Sequence, residues 1–201
     1  MGEGLVMFAL YFYTMRIEKI YVWLFIIVLV MRSMHADGWV VLFTLSGFSL
    51  SLLYCIGSFW LFSDGSLRRQ NLLLSIVSGF IFSLATIGTI FKIMHFPGYG
   101  LQLLISVCGL FLVLVAVAVL MMSAPLHLLG YYKKMLGRTL TWLALTFILL
   151  VMPLRVLLRT QYWNDPEYVE IAAKHYTEPD NKKYEAAYNE YRQLHNPDGR
   201  K

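Results

Sequence analysis

Phe91-Lys-Ile-Met-His-Phe-Pro-Gly98 closes one apolar run and opens the next; Met31-Arg-Ser-Met-His-Ala-Asp-Gly38 does the same at an offset of 60. Arg32 matches Lys92, Met34 matches Met94, His35 matches His95 and Gly38 matches Gly98. Trp39 and Tyr99 follow in register, then Ser46 with Ser106 and Leu50 with Leu110. Leucine against leucine carries little weight in so apolar a chain. A cation, a methionine, a histidine and a glycine at one spacing, both times at a run end, carry more, and a duplication is expected. The period covers two helices, so both copies point the same way and are related by an axis along the membrane normal. Lys92 and His95 are three apart, on one helix face. The last turn of a helix favours a cation, and Lys92 is expected to snorkel towards the headgroups. Pro97 cannot continue a helix, and Gly98 takes the tight turn that starts the return. Where the second copy has Phe96 and Pro97, the first has Ala36 and Asp37, the latter placed to pair with Arg32 or His35.

Outward from these turns the chain divides into spans. A transmembrane helix needs about 20 mostly apolar residues. Five stretches qualify: Ile17 to Met34, Trp39 to Phe62, Leu72 to Met94, Tyr99 to Met122 and Leu140 to Leu158, the last with Pro153 and Arg155 near its end. Gly4 to Thr14 is too short to span, and Met15-Arg16-Ile17-Glu18-Lys19 reads as a natural start. The expected fold is all-α: a polytopic membrane protein of two parallel helical-hairpin repeats, a fifth helix and a short helical tail. Its expected segments are an extension at 1–16, a degenerate first hairpin at 17–62 and a basic loop at 63–71. The second hairpin follows at 72–124, a second basic loop at 125–139, the fifth span at 140–159 and a polar, tyrosine-rich tail at 160–201.

Composition agrees. The 201 residues are 58% apolar and only 14% charged, with a mean hydropathy of +0.60. Soluble domains carry about a quarter charged residues, so disorder, coiled coil and disulfide scaffold are excluded. Residues 1–159 hold eleven Lys and Arg against four Asp and Glu, and residues 160–201 hold six against eight. The basic character therefore belongs to the membrane part, where it sets orientation and meets anionic lipid; no basic stripe for nucleic acid is present. Arg16, Lys19, Arg68, Arg69, Lys133, Lys134 and Arg138 fall on one side of the expected topology, and Arg32, Lys92, Arg155 and Arg159 on the other. That bias puts the N-terminus in the cytoplasm and, with five spans, the tail outside. Cys55 and Cys108 lie inside apolar runs and are expected to act as small buried hydrophobes.

Phe91-Lys-Ile-Met-His-Phe-Pro-Gly98 resembles the Lys-Ile-hydrophobe-His-Trp-Pro-Gly sequence at the first hairpin of the GldL family, the inner-membrane stator of the gliding-motility and type IX secretion motor. The resemblance covers roughly residues 75–122 and, more weakly, 17–62. It implies a bacterial inner-membrane protein with helix-mediated partners, either a second copy or other envelope proteins. The family's second helix carries a membrane glutamate that couples proton flow to rotation. Here no Asp or Glu occurs between Asp64 and Asp165, and a proton path needs a titratable group at depth. Kinship of the hairpin is implied, without the motor activity.

No catalytic signature accompanies the hairpins: no Ser/His/Asp set, HExxH, phosphate loop or paired intramembrane carboxylate, so no enzyme and no cofactor are expected. The alternative is a small transporter or redox subunit using Arg32, His35, Lys92 and His95, since a parallel repeat puts both imidazoles at one leaflet. Ser75, Ser78, Gly79, Ser83 and Gly88 mark a helix built for close packing. In the tail, Asp165-Pro166-Glu167 reads as an N-cap, a first-position proline and an acid in the first turn. A short helix to about Lys174 and a second from Lys182 to His195 are expected. Tyr184, Tyr188 and Tyr191 share one face of the second, for contact with headgroups or a partner.

Overall fold

A computed structural model describes residues 39–61, 71–178 and 180–195, together with isolated positions between Lys19 and Ile27. Among the described residues the secondary structure is helical throughout: α1 (Trp39–Leu61), α2 (Leu72–Ile93), α3 (Tyr99–Met122), α4 (Leu129–Val151), α5 (Leu154–Gln161), α6 (Pro166–Thr177) and α7 (Lys182–His195). A single 3-10 turn, Leu126–Leu128, leads into α4. Helices α1 to α4 are long and apolar enough to cross a membrane; the 22 residues of α2 reach about 33 Å at 1.5 Å per residue. The expected span Ile17 to Met34, the motif residues Arg32, Met34, His35 and Gly38, and nearly all of the loop at 63–71 lie outside the described residues.

Helix α2 is central. Its small residues let neighbours approach: Ser75, Ser78, Gly79, Ser83 and Gly88 are all buried. A Cβ at Gly79 would lie 2.0 Å from Ser58 Cβ and 2.5 Å from the Tyr54 carbonyl oxygen, so α1 crosses α2 backbone against side chain. Four residues on, the Ser51 and Ser83 hydroxyls bond at 2.8 Å. Phe43 packs with Ile90 and Ile93, which makes the pair antiparallel. On the opposite flank α3 runs back along α2, with Gly109 against Ile81 and Gly88 against Leu103. Helices α1 and α3 are therefore parallel, and they bury the same face at the offset of 60. Phe43 and Leu103, Ser46 and Ser106, and Leu50 and Leu110 are all at most 2% exposed. In lipid such packing and hydroxyl bonding replace the hydrophobic effect as the force between helices.

Helix α4, which corresponds to the expected fifth span at Leu140 to Leu158, departs from those bounds. Residues 129–139 are its first three turns, and no basic loop fills 125–139. A stripe of Tyr131, Tyr132, Met135, Thr139, Trp142, Thr146 and Leu149 is buried, at helical spacing that begins before the cations end. Tyr131 bonds Ser75 at 3.2 Å and Tyr132 accepts from Asn71 at 2.8 Å, while Lys133 and Lys134 point outward. At the far end Pro153 stops the helix at Val151, because its ring clashes with the preceding turn. Residues 154–158, expected in the same span, belong to the separate helix α5. Cys55 and Cys108 correct a second expectation: both are exposed on the outside of the bundle. Cys108 opens onto an apolar groove of about 700 Å³ between α3 and α4, shared with Phe111, Leu140 and Phe147.

Candidate functional site at the α2–α3 turn

The turn is a Schellman motif. The Phe96 N–H donates to the Phe91 carbonyl at 2.9 Å, and the His95 N–H to the Lys92 carbonyl at 3.3 Å. His95 takes the left-handed position with φ 59. The apolar contact that accompanies this motif is the edge-to-face pair Phe91 and Phe96, centroids 5.4 Å apart. The motif Phe-Lys-Ile-Met-His-Phe is thus the last turn of a helix and its stop signal. Gly98, with φ 83, then caps α3, a conformation any Cβ would strain.

Lys92 does not snorkel. Its residue surface is only 3% exposed, and the ammonium lies 4.3 Å from the centroid of the Tyr99 ring. A lysine on an aromatic face gains from the ring quadrupole, which holds the cation between the end of α2 and the start of α3. Met94 packs on Phe43, Ile90 and Ile93. Lys92, Met94, His95 and Gly98 thus come together at one helix end, with the cation turned inward.

The tail closes over this turn. The rings of His95 and Tyr176 are 5.2 Å apart, joining the membrane hairpin to α6. Behind Tyr176 lies a cluster of phenols. Tyr188 meets Tyr176 at 3.2 Å and Tyr168 at 3.3 Å through hydroxyls, and His175 stacks on Tyr188 at 4.5 Å. Asp165 organises the far side: its carboxylate caps α6 by accepting the Tyr168 N–H at 3.0 Å and also takes the Tyr191 hydroxyl at 2.8 Å. Leu154, Leu158, Val169 and Ala172 complete this small core. Outside it, Arg155 pairs with Glu170 on the surface.

Tyr188 and Tyr191 are each 8% exposed. The strip expected to meet headgroups or a partner is therefore spent within the tail, with Tyr184 half-buried at its margin. The reason is the run of phenols on α6, Tyr168 and Tyr176, which offers a matching face. Burial, then the Tyr188 hydroxyl, pushes the Tyr168 and Tyr176 phenols well above their ordinary range. Burial, then the Asp165 carboxylate, pushes Tyr191 up to about 12. All three are neutral donors at physiological pH, which suits them to locking a tail in place.

Two features went beyond the spacing argument. The Schellman closure was visible as two phenylalanines five apart around Met94 and His95. The His95–Tyr176 contact joins segments far apart in sequence and leaves no local signal. Searched against known proteins, the chain matches no family model, no curated relative and no solved structure.

Proposed function

We propose that the chain is a structural and interaction protein of a bacterial inner membrane, related to the GldL membrane hairpin, and that it holds contacts rather than moving protons. The observation that carries this is the character of its interior polar groups. Between Asp64 and Asp165 there is no carboxylate, and the spanning helices are tied by neutral groups: Ser51 to Ser83, Ser75 to Tyr131, and the Trp142 indole to Tyr54 at 3.2 Å. Such bonds fix helices against one another and carry no exchangeable charge across the bilayer. The shared burial phase of α1 and α3 supports the duplication. Charge bias orients the assembly with the N-terminus in the cytoplasm and the tail in the periplasm.

The partners in this reading are a second copy or other envelope membrane proteins. Cys108 provides the test, because it faces outward beside the α3–α4 groove. Oxidative and bifunctional cross-linking in native membranes should give a product above monomer size, weakened in Cys108→Ser when that face is the contact. Monomer alone under both chemistries overturns the proposal. An absorption spectrum and metal analysis of the purified protein address the redox alternative directly, since bound haem or metal would replace this reading with that one.

A further inference from the structure

Lys92 is a cation inside a membrane protein, 3% exposed, resting on Tyr99. Among the described residues no carboxylate or hydrogen-bond acceptor meets its ammonium. Burying a charge is costly without a partner, and the tyrosine face offsets only a small part of that cost. The ring it rests on belongs to Tyr99, the first residue of α3. That helix has no side-chain cap and no acid in its first turn. Its opening N–H groups therefore carry the positive end of the helix dipole beside a positive side chain. Two positive features at one turn, with no acid in the first turn of α3, suit an anion.

Access is provided by the glycines. A Cβ at Gly98 or Gly100 would meet nothing within 4 Å, so the backbone of Pro97-Gly98-Tyr99-Gly100 stands open to close approach. Backbone donors, a lysine and glycines that let a ligand come near are what phosphate groups are held by.

We propose that the start of α3, together with Lys92, binds one phosphate group at the membrane surface, the ammonium and the first N–H groups of α3 sharing its oxygens. The position at a helix end of the membrane body makes the phosphodiester of a lipid headgroup the natural source. Free inorganic phosphate carries the same chemistry. The proposal is independent of the scaffold reading, since it concerns a ligand and not a partner.

The full chain, purified in detergent and offered phosphatidylglycerol or phosphatidylcholine, is read by native mass spectrometry for retained lipid. One phosphatidylglycerol should be retained, and Lys92→Gln should weaken that retention about tenfold, as expected for loss of one charge-assisted contact. Lys92→Arg should keep it. Lys133→Gln, at the opposite end of the bundle, should leave it unchanged. Gly100→Leu fills the open space without touching the lysine and should weaken retention to a similar degree, which keeps the test decisive should Lys92→Gln fail to fold. Inorganic phosphate added alone identifies the source: thermal stabilisation that needs Lys92, with no lipid retained, assigns the site to free phosphate. Equal retention of both lipids, indifferent to Lys92→Gln and Gly100→Leu and without a phosphate effect, overturns the proposal.

Discussion

At the scale of single residues, His95 is held in a backbone region that costs a side chain about 1–2 kcal/mol. The structure accepts that because the imidazole reaches Tyr176. The two roles separate by mutation. His95→Gly should be more stable than His95→Ala by about 1 kcal/mol, read by denaturant titration in detergent. Both should free the tail, seen as faster hydrogen exchange in α6. Tyr191→Phe removes one bond to the Asp165 carboxylate and should cost the tail about 1–2 kcal/mol. Lys92 shows where reasoning by residue type fell short. A helix-end lysine is read as snorkelling because most are, and the tyrosine that turns this one inward lies across a turn whose geometry the residue alone does not specify.

At the scale of elements, glycines separate the tight contacts from the loose ones. Gly79→Ala would drive a methyl into Ser58 and the Tyr54 carbonyl. It should destabilise by about 1–3 kcal/mol and weaken the α1–α2 contact, followed by thermal unfolding. Gly130→Ala, where a Cβ meets nothing within 4 Å, should stabilise α4 by up to about 1 kcal/mol. The elements were largely legible. The bounds of α2 and α3 follow from the apolar runs and from Pro97 and Gly98, and the start of α6 from Asp165 and Pro166. The start of α4 was missed because Lys133, Lys134 and Arg138 mark a loop by charge, while Tyr131, Tyr132, Met135 and Thr139 mark a helix by period. Period was the better guide, since a helix leaves its cations on the outward face. The break at Pro153 is present in the sequence, but the apolar residues Leu154, Val156, Leu157 and Leu158 beyond it favour a continued span.

At the scale of the whole molecule, an apolar helical bundle carries a tail with a core of its own, joined among the described residues by the His95–Tyr176 ring contact and the covalent link at Pro153. The tail depends on phenols that stay protonated. A group whose pKa is raised by folding adds stability that is complete below its unfolded value, about 10 for tyrosine, and that is lost as pH climbs through the folded value. For Tyr191 that value is about 12. Tail structure should therefore lose stability as pH climbs above about 10, with tyrosinate absorbance rising late and together with loss of helical circular dichroism. The long-range join escaped sequence reasoning for a plain reason: the tyrosine face of α7 is as well suited to lipid or a partner as to α6, and only packing decides among them.

The His95–Tyr176 contact also imposes an order on biogenesis. A ribosome releases the hairpin long before it releases α6, so the turn enters the membrane bare and is clasped only when the final spanning segment has been inserted and its trailing residues delivered to the same side. A chain stalled or mis-threaded at that step lacks the contact of His95 with Tyr176.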